Sequence, residues 1–190
     1  MIAIVALLLA MPIELGLSAG AGFADAREAV VAPMLRARLG LDLFDHLSLN
    51  GALLVAAGGE PVSNYCGVNC RGESGLRAVA ALASVRVQSV GDLQAFIELG
   101  AGIGHLINLS ADQTFENPPL RGRGGPAFLV EGGGRWFLSP GLALGLSMQW
   151  TQWTHVGHPA YASALDVPAE SDLRVSVFAF LLSLDFEPFR

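Results

Sequence analysis

The chain contains no lysine; all 11 of its basic residues are arginine. We read that gap as base-composition bias, not as chemistry. Set against 17 acidic residues it leaves a net charge of −6, which argues against general nucleic-acid binding. Charge of either sign is scarce: 15% of residues are charged and 52% are hydrophobic. That is too apolar for an ordinary soluble domain. Yet beyond the first dozen positions no apolar run is long enough for a spanning helix, which needs about 18 or more residues. Cysteine is nearly absent. Cys66 and Cys70 stand as C-x-x-x-C in "NYCGVNCRG", with no further Cys or His at metal-ligand spacing. That excludes a zinc site built on them.

What is present is alternation. In "LQAFIELGAGIG", Leu93, Ala95, Ile97, Leu99, Ala101 and Ile103 share one face, while Gln94, Phe96, Glu98, Gly100, Gly102 and Gly104 share the other. The three glycines stand as G-x-G-x-G, one residue short of the dinucleotide-binding G-x-G-x-x-G, and no helical period follows them. A strand longer than a usual soluble one is the better reading. "IELGLSAGAGFA" places Ile13, Leu15, Leu17, Ala19, Ala21 and Phe23 against Glu14, Gly16, Ser18, Gly20 and Gly22. "MLRARLGLDLF" places leucines and Ala37 against Arg36, Arg38, Gly40 and Asp42. The pattern recurs in "LSLNGALLVA", "RAVAALASVRVQ", "AFLVEGGGRWF", "LALGLSMQW" and "VFAFLLSLDFEPF". This predicts about eight strands, each long enough to cross a bilayer when tilted.

The connections alternate as well. Short turns fall at 45–46, 89–92 and 139–141, and long polar loops at 25–33, 58–75, 108–126 and 152–172. Short turns at one end and long loops at the other is the layout of an outer-membrane barrel. An even strand count then brings both termini to the short-turn end. The second face of each strand is rich in Gly, Ser and Gln, as expected of a narrow lumen with room only for side chains. The apolar face is therefore expected to meet lipid. The expected fold is all-β, an antiparallel eight-stranded up-and-down transmembrane β-barrel spanning residues 13–190. Residues 1–12, "MIAIVALLLAMP", read as a signal-peptide remnant or apolar leader.

On these strands, on the loop asymmetry and on the aromatic last strand "FAFLLSLDFEPF", the chain resembles the small eight-stranded outer-membrane β-barrel family, which includes OmpA-like transmembrane domains and OmpX-like proteins. The resemblance implies a bacterial outer-membrane location, contact with outer-membrane lipid and lipopolysaccharide, and recognition of the last strand by the barrel-insertion machinery. That strand departs from the family pattern, because Pro188 interrupts it and Arg190 follows Phe189. Members of the family differ in function, so the fold by itself names no activity.

Several residues are candidates for chemistry. Arg36, Arg38, Asp42, Arg86, Glu98, Glu131, Arg135 and Asp185 fall on lumen positions, where buried charges must pair or meet water. They form either a structural network or a narrow ion path. Cys66 and Cys70 are expected to form a loop disulfide after export to an oxidising compartment. Arg121 and Arg123 in "LRGRGGP" offer possible contacts to lipopolysaccharide phosphates. His155 and His158, with Asp166 beyond, belong to no compact hydrolase signature. Trp136, Trp150, Trp153 and Phe189 fit interfacial girdles. No cofactor, metal ligand set or catalytic residue is expected. The expected function is that of a non-enzymatic integral outer-membrane protein, structural or surface-interacting through its loops. The alternatives are a narrow ion channel, a lipid A-modifying outer-membrane enzyme, and, more weakly, a soluble ligand-binding barrel.

Overall fold

A computed structural model describes residues 12–25, 29–58, 74–110, 123–159 and 170–188. They form a closed barrel of eight antiparallel strands in sequence order, β1(Ile13–Asp25), β2(Ala29–Phe44), β3(Leu47–Gly58), β4(Ser74–Gln88), β5(Leu93–Ser110), β6(Arg123–Ser139), β7(Leu142–Pro159) and β8(Glu170–Phe186). β1 closes the circle against β8, with Leu15 opposite Phe186 and Asp25 opposite Ser176. Closure leaves no edge strand with unpaired backbone groups.

One end of the barrel is made of tight turns at 45–46, 89–92 and 140–141, as expected. Gly91 and Gly141 take the left-handed backbone angles, φ 126° and 85°, that such reversals need and that L side chains resist. Pro12 and Glu187 close the same end: the Asp42 amide donates to the Pro12 carbonyl, and the Glu187 amide to the Gly141 carbonyl. Both described ends of the chain thus reach the turn end.

At the other end the strands run further than the sequence suggests. β2 begins at Ala29, so the first connection is three residues long, 26–28, in place of the expected loop at 25–33. Pro33 does not end the strand. It sits in the part of β2 that pairs with β1 alone, because the β2–β3 ladder starts at Met34, and there its missing N–H costs no bond. Pro126 is tolerated for a related reason: the β6–β7 register shifts between Gly124 and Ala127. The other connections, 59–73, 111–122 and 160–169, are long, but shorter than expected. Cys66, Cys70, Arg121, Asp166 and Phe189 lie outside the described residues. Arg123 opens β6, and His155 and His158 belong to β7 instead of a loop.

Alternation assigns the two faces as expected. Leu17, Leu35, Leu53, Ile97, Leu99, Leu146 and Leu182 stand outside, with Leu99 58% exposed beside a fully buried Glu98. Trp136 and Trp150 also point outward. Trp153 does not. It is wholly buried in the lumen, contrary to its expected place in a girdle. β7 runs straight on past the assumed strand end, and odd-numbered positions of β7 point inward, as Gln149 and Thr151 do.

Candidate functional site

The lumen is divided lengthwise. Its turn-end half is polar and charged; its loop-end half is apolar. Every lumen charge expected from the sequence does project inward, although Asp42 is only partly buried.

The register builds the polar half. Arg86 on β4 stands opposite Glu98 on β5, Glu98 opposite Glu131 on β6, and Glu131 opposite Gln149 on β7. Two carboxylates face each other in that row, a destabilising neighbourhood if left uncompensated. Arg36 compensates it from the far wall. Its guanidinium spans the lumen and ion-pairs with Glu98 and Glu131 through separate nitrogens. Arg86 adds two more bonds to Glu98, at 2.9 and 2.8 Å, and the Ser84 hydroxyl donates to the other Glu98 oxygen. The Arg86 guanidinium also lies 4.1 Å from the centre of the Phe96 ring, which turns inward beside it.

A second cluster sits nearer the turns. Glu14 of β1 takes bonds from Arg38 and from Arg135, the latter at 2.6 Å. Arg38 also reaches Asp185 at 2.7 Å and Asn50 at 3.3 Å. Arg135 donates to Gln94 at 2.7 Å and Gln88 at 2.9 Å, and pairs with Glu187 at 2.8 Å. Arg86 stands 3.6 Å from Glu14 and so joins the two clusters. The network touches β1 to β6 and β8. Glu14 and Glu187 are its unanticipated members. The inward parity of Glu14 was readable beside Gly16 and Ser18. Glu187 lies beyond the last strand, and only closure of the barrel brings it to Arg135.

The apolar half corrects the expectation of a uniformly small, polar lumen. Met34, Leu54, Leu82, Leu129, Trp153 and Leu181 form one buried cluster there, with Val175 and Val177. Trp153 crosses toward β5, where a Cβ on Gly104 would collide with its indole ring. Gly104 is therefore the recess that admits the tryptophan. Gly100 serves the same end beside Ser84 and Leu129, where an added Cβ would come within 2.9 Å of the Ser84 Cβ. So Gly100 and Gly104 of "ELGAGIGHL" are places where other side chains fill the lumen, whereas Gly102 lies against the β4 backbone at Ala81 and Leu82.

Chemically, the polar half is a cross-linked strut. Charges of both signs are cross-linked in it, and among the described residues no ring of a single sign lines a passage. At the turn end it opens into a cavity of about 450 Å³ lined by Asp42, Gln88, Gln94, Arg135 and Glu187.

No family model matches the chain, and no curated protein matches it by sequence. Solved structures match it by shape. Neisserial surface protein A superposes with a TM-score of 0.62 at 8% identity, covering 92% of this chain and 96% of that one. The outer-membrane enzyme PagL gives 0.54 at 10% identity, over 88% and 97%. Ail, the attachment invasion locus protein of Yersinia pestis, solved in complex with the heparin analogue sucrose octasulfate, gives 0.51 at 12% identity, over 93% and 97%. The chain has the fold of the small eight-stranded outer-membrane barrels.

Proposed function

We propose that this chain is a non-enzymatic integral protein of the bacterial outer membrane, a closed barrel that holds surface loops in place for contact with partners. The observation that carries the reading is the filled lumen. A charged strut occupies the turn-end half and an apolar cluster occupies the loop-end half. A solute path would have to break both. The outward band of leucine, valine, isoleucine and phenylalanine supplies the lipid contact. The turn end then faces the periplasm, and the long connections 59–73, 111–122 and 160–169 face outward from the cell.

The fold is shared by proteins of different kinds. PagL is an enzyme, and Ail was solved with a sulfated ligand, so shape alone does not choose between them. The filling of the lumen and the loop composition favour surface contact. Arg121 and Arg123 are suited to lipopolysaccharide phosphates. A Cys66–Cys70 disulfide would tighten the β3–β4 loop. The last strand, with Phe186 outward and paired to β1, is the segment for the insertion machinery to read.

Proteoliposome swelling with small sugars tests the closed lumen. Rates equal to those of empty liposomes are expected; rapid swelling would replace this reading with a channel. Lipid A mass spectra from cells with and without the protein are expected to match, and a change in acylation would make it an enzyme. Thiol labelling of envelope-purified, denatured, unreduced protein is expected to find no free cysteine.

A further inference from the structure

The lumen network does not balance. Among the described residues, four arginines project inward, Arg36, Arg38, Arg86 and Arg135, against six carboxylates, Glu14, Asp42, Glu98, Glu131, Asp185 and Glu187. Two negative charges are in excess. The excess collects at the turn-end mouth. There Glu14, Asp42 and Glu187, from three separated stretches of chain, bring one oxygen each to within 4.8 Å of one another. Arg135 is already divided among Glu14, Gln88, Gln94 and Glu187. Asp42 has no cationic side chain as partner among the described residues.

The polar atoms around this cluster carry a second, independent mark. Ser48 stands directly across from Asp42 in the β2–β3 ladder and projects into the lumen with it. It is fully buried, and its hydroxyl has no hydrogen-bond partner among the described residues. Oε2 of Glu14 and Oδ1 of Asp42 are likewise buried without a hydrogen bond. An unmet hydroxyl or carboxylate in such a place costs about 1–3 kcal/mol or more. Three hard oxygen donors left open beside a local excess of negative charge are the makings of a cation site.

We propose that the turn-end mouth of the barrel binds one divalent cation of the calcium class between Glu14, Asp42 and Glu187, with Ser48 beside it. The donor set favours calcium over magnesium, because irregularly placed carboxylates with a hydroxyl and several waters suit calcium's flexible shell, whereas magnesium demands a near-ideal octahedron. The adjoining cavity admits the waters that complete a coordination shell of about six to eight oxygens. Two positive charges cancel the two in excess. The ion would join β1, β2 and the end of β8, and so pin the seam where the first and last strands meet.

The test uses the full chain, folded in a zwitterionic detergent and stripped with EDTA. Calorimetric titration with calcium chloride should give one saturable site per chain, and calcium should raise the melting temperature. Magnesium should bind at least tenfold more weakly. Asp42→Asn and Glu187→Gln should each weaken calcium binding tenfold or more. A tenfold loss in either variant supports the site. Absence of saturable binding by the wild type, or less than a tenfold loss in both variants, overturns it.

Discussion

Arg36 is the single residue on which the inner row of charges depends. Among the described residues it alone ion-pairs with both Glu98 and Glu131, which the β5–β6 register forces to face each other. Arg36→Met should therefore leave two buried carboxylates side by side and cost about 3–5 kcal/mol. The loss should shrink when Glu131→Gln is added, because the second substitution removes the charge that lost its partner. Urea unfolding from lipid vesicles, followed by tryptophan fluorescence, would measure both. Equal destabilisation in the single and double variants would show that Arg36 acts by packing alone. Its outward neighbours obey a different rule. Leu99→Arg should cost about 2–4 kcal/mol if the residue lies near the bilayer midplane. Depth-sensitive spin labels at 98 and 99 should report lipid contact only at 99. Equal contact at both would reverse the orientation of the wall.

At the scale of the element, each strand is two surfaces read by alternation, and legibility followed how different those surfaces are. β1, the Arg36–Asp42 stretch of β2 and most of β5 turn glycine, serine or charge inward, with Phe96 among them, and these inward residues were readable position by position; Met34, nearer the loop end of β2, was not. In β3, β4, β6 and β8 the loop-end segments "ALLVA", "VAAL", "FLV" and "FAFLL" are apolar on both faces. Period 2 still gives the parity there, but composition no longer separates lumen from lipid, so Leu54, Leu82, Leu129 and Leu181 were not anticipated as an inner plug. Trp153 was missed for a different cause, a strand end drawn too early. What no single strand could show is contact across the barrel: Arg36 to Glu131, or Glu187 to Arg135, is a product of closure. The fit of β5 to β7 is one such contact and can be tested. Gly104→Val should drive a side chain into the Trp153 indole and cost about 1–3 kcal/mol through overpacking. Adding Trp153→Leu should recover much of the loss in melting temperature. If it does not, Gly104 is required by its backbone and not by the space it leaves.

For the whole molecule, the two halves of the lumen act as barriers in series, and that arrangement makes a prediction that neither half makes alone. Charged side chains cross-link the turn-end half, and an apolar cluster that contributes no ion pair fills the loop-end half. A solute must pass both, so opening one should leave conduction set by the other. Trp153→Ala with Leu129→Ala should hollow the loop-end half. The charged strut below it should keep planar-bilayer conductance at the level of the wild type. Arg36→Ala with Glu131→Ala should thin the strut while preserving its net charge, and the apolar cluster above it should keep the barrel closed. Only the combined variant should show stable conductance steps, provided its heat-modifiable migration on gels shows that the barrel still folds. An open pore in either pair alone would mean that one half carries the seal and the other is packing. If the folded combined variant stays closed, about eight strands leave too little room for a path even when side chains are removed, and the circumference itself is the seal.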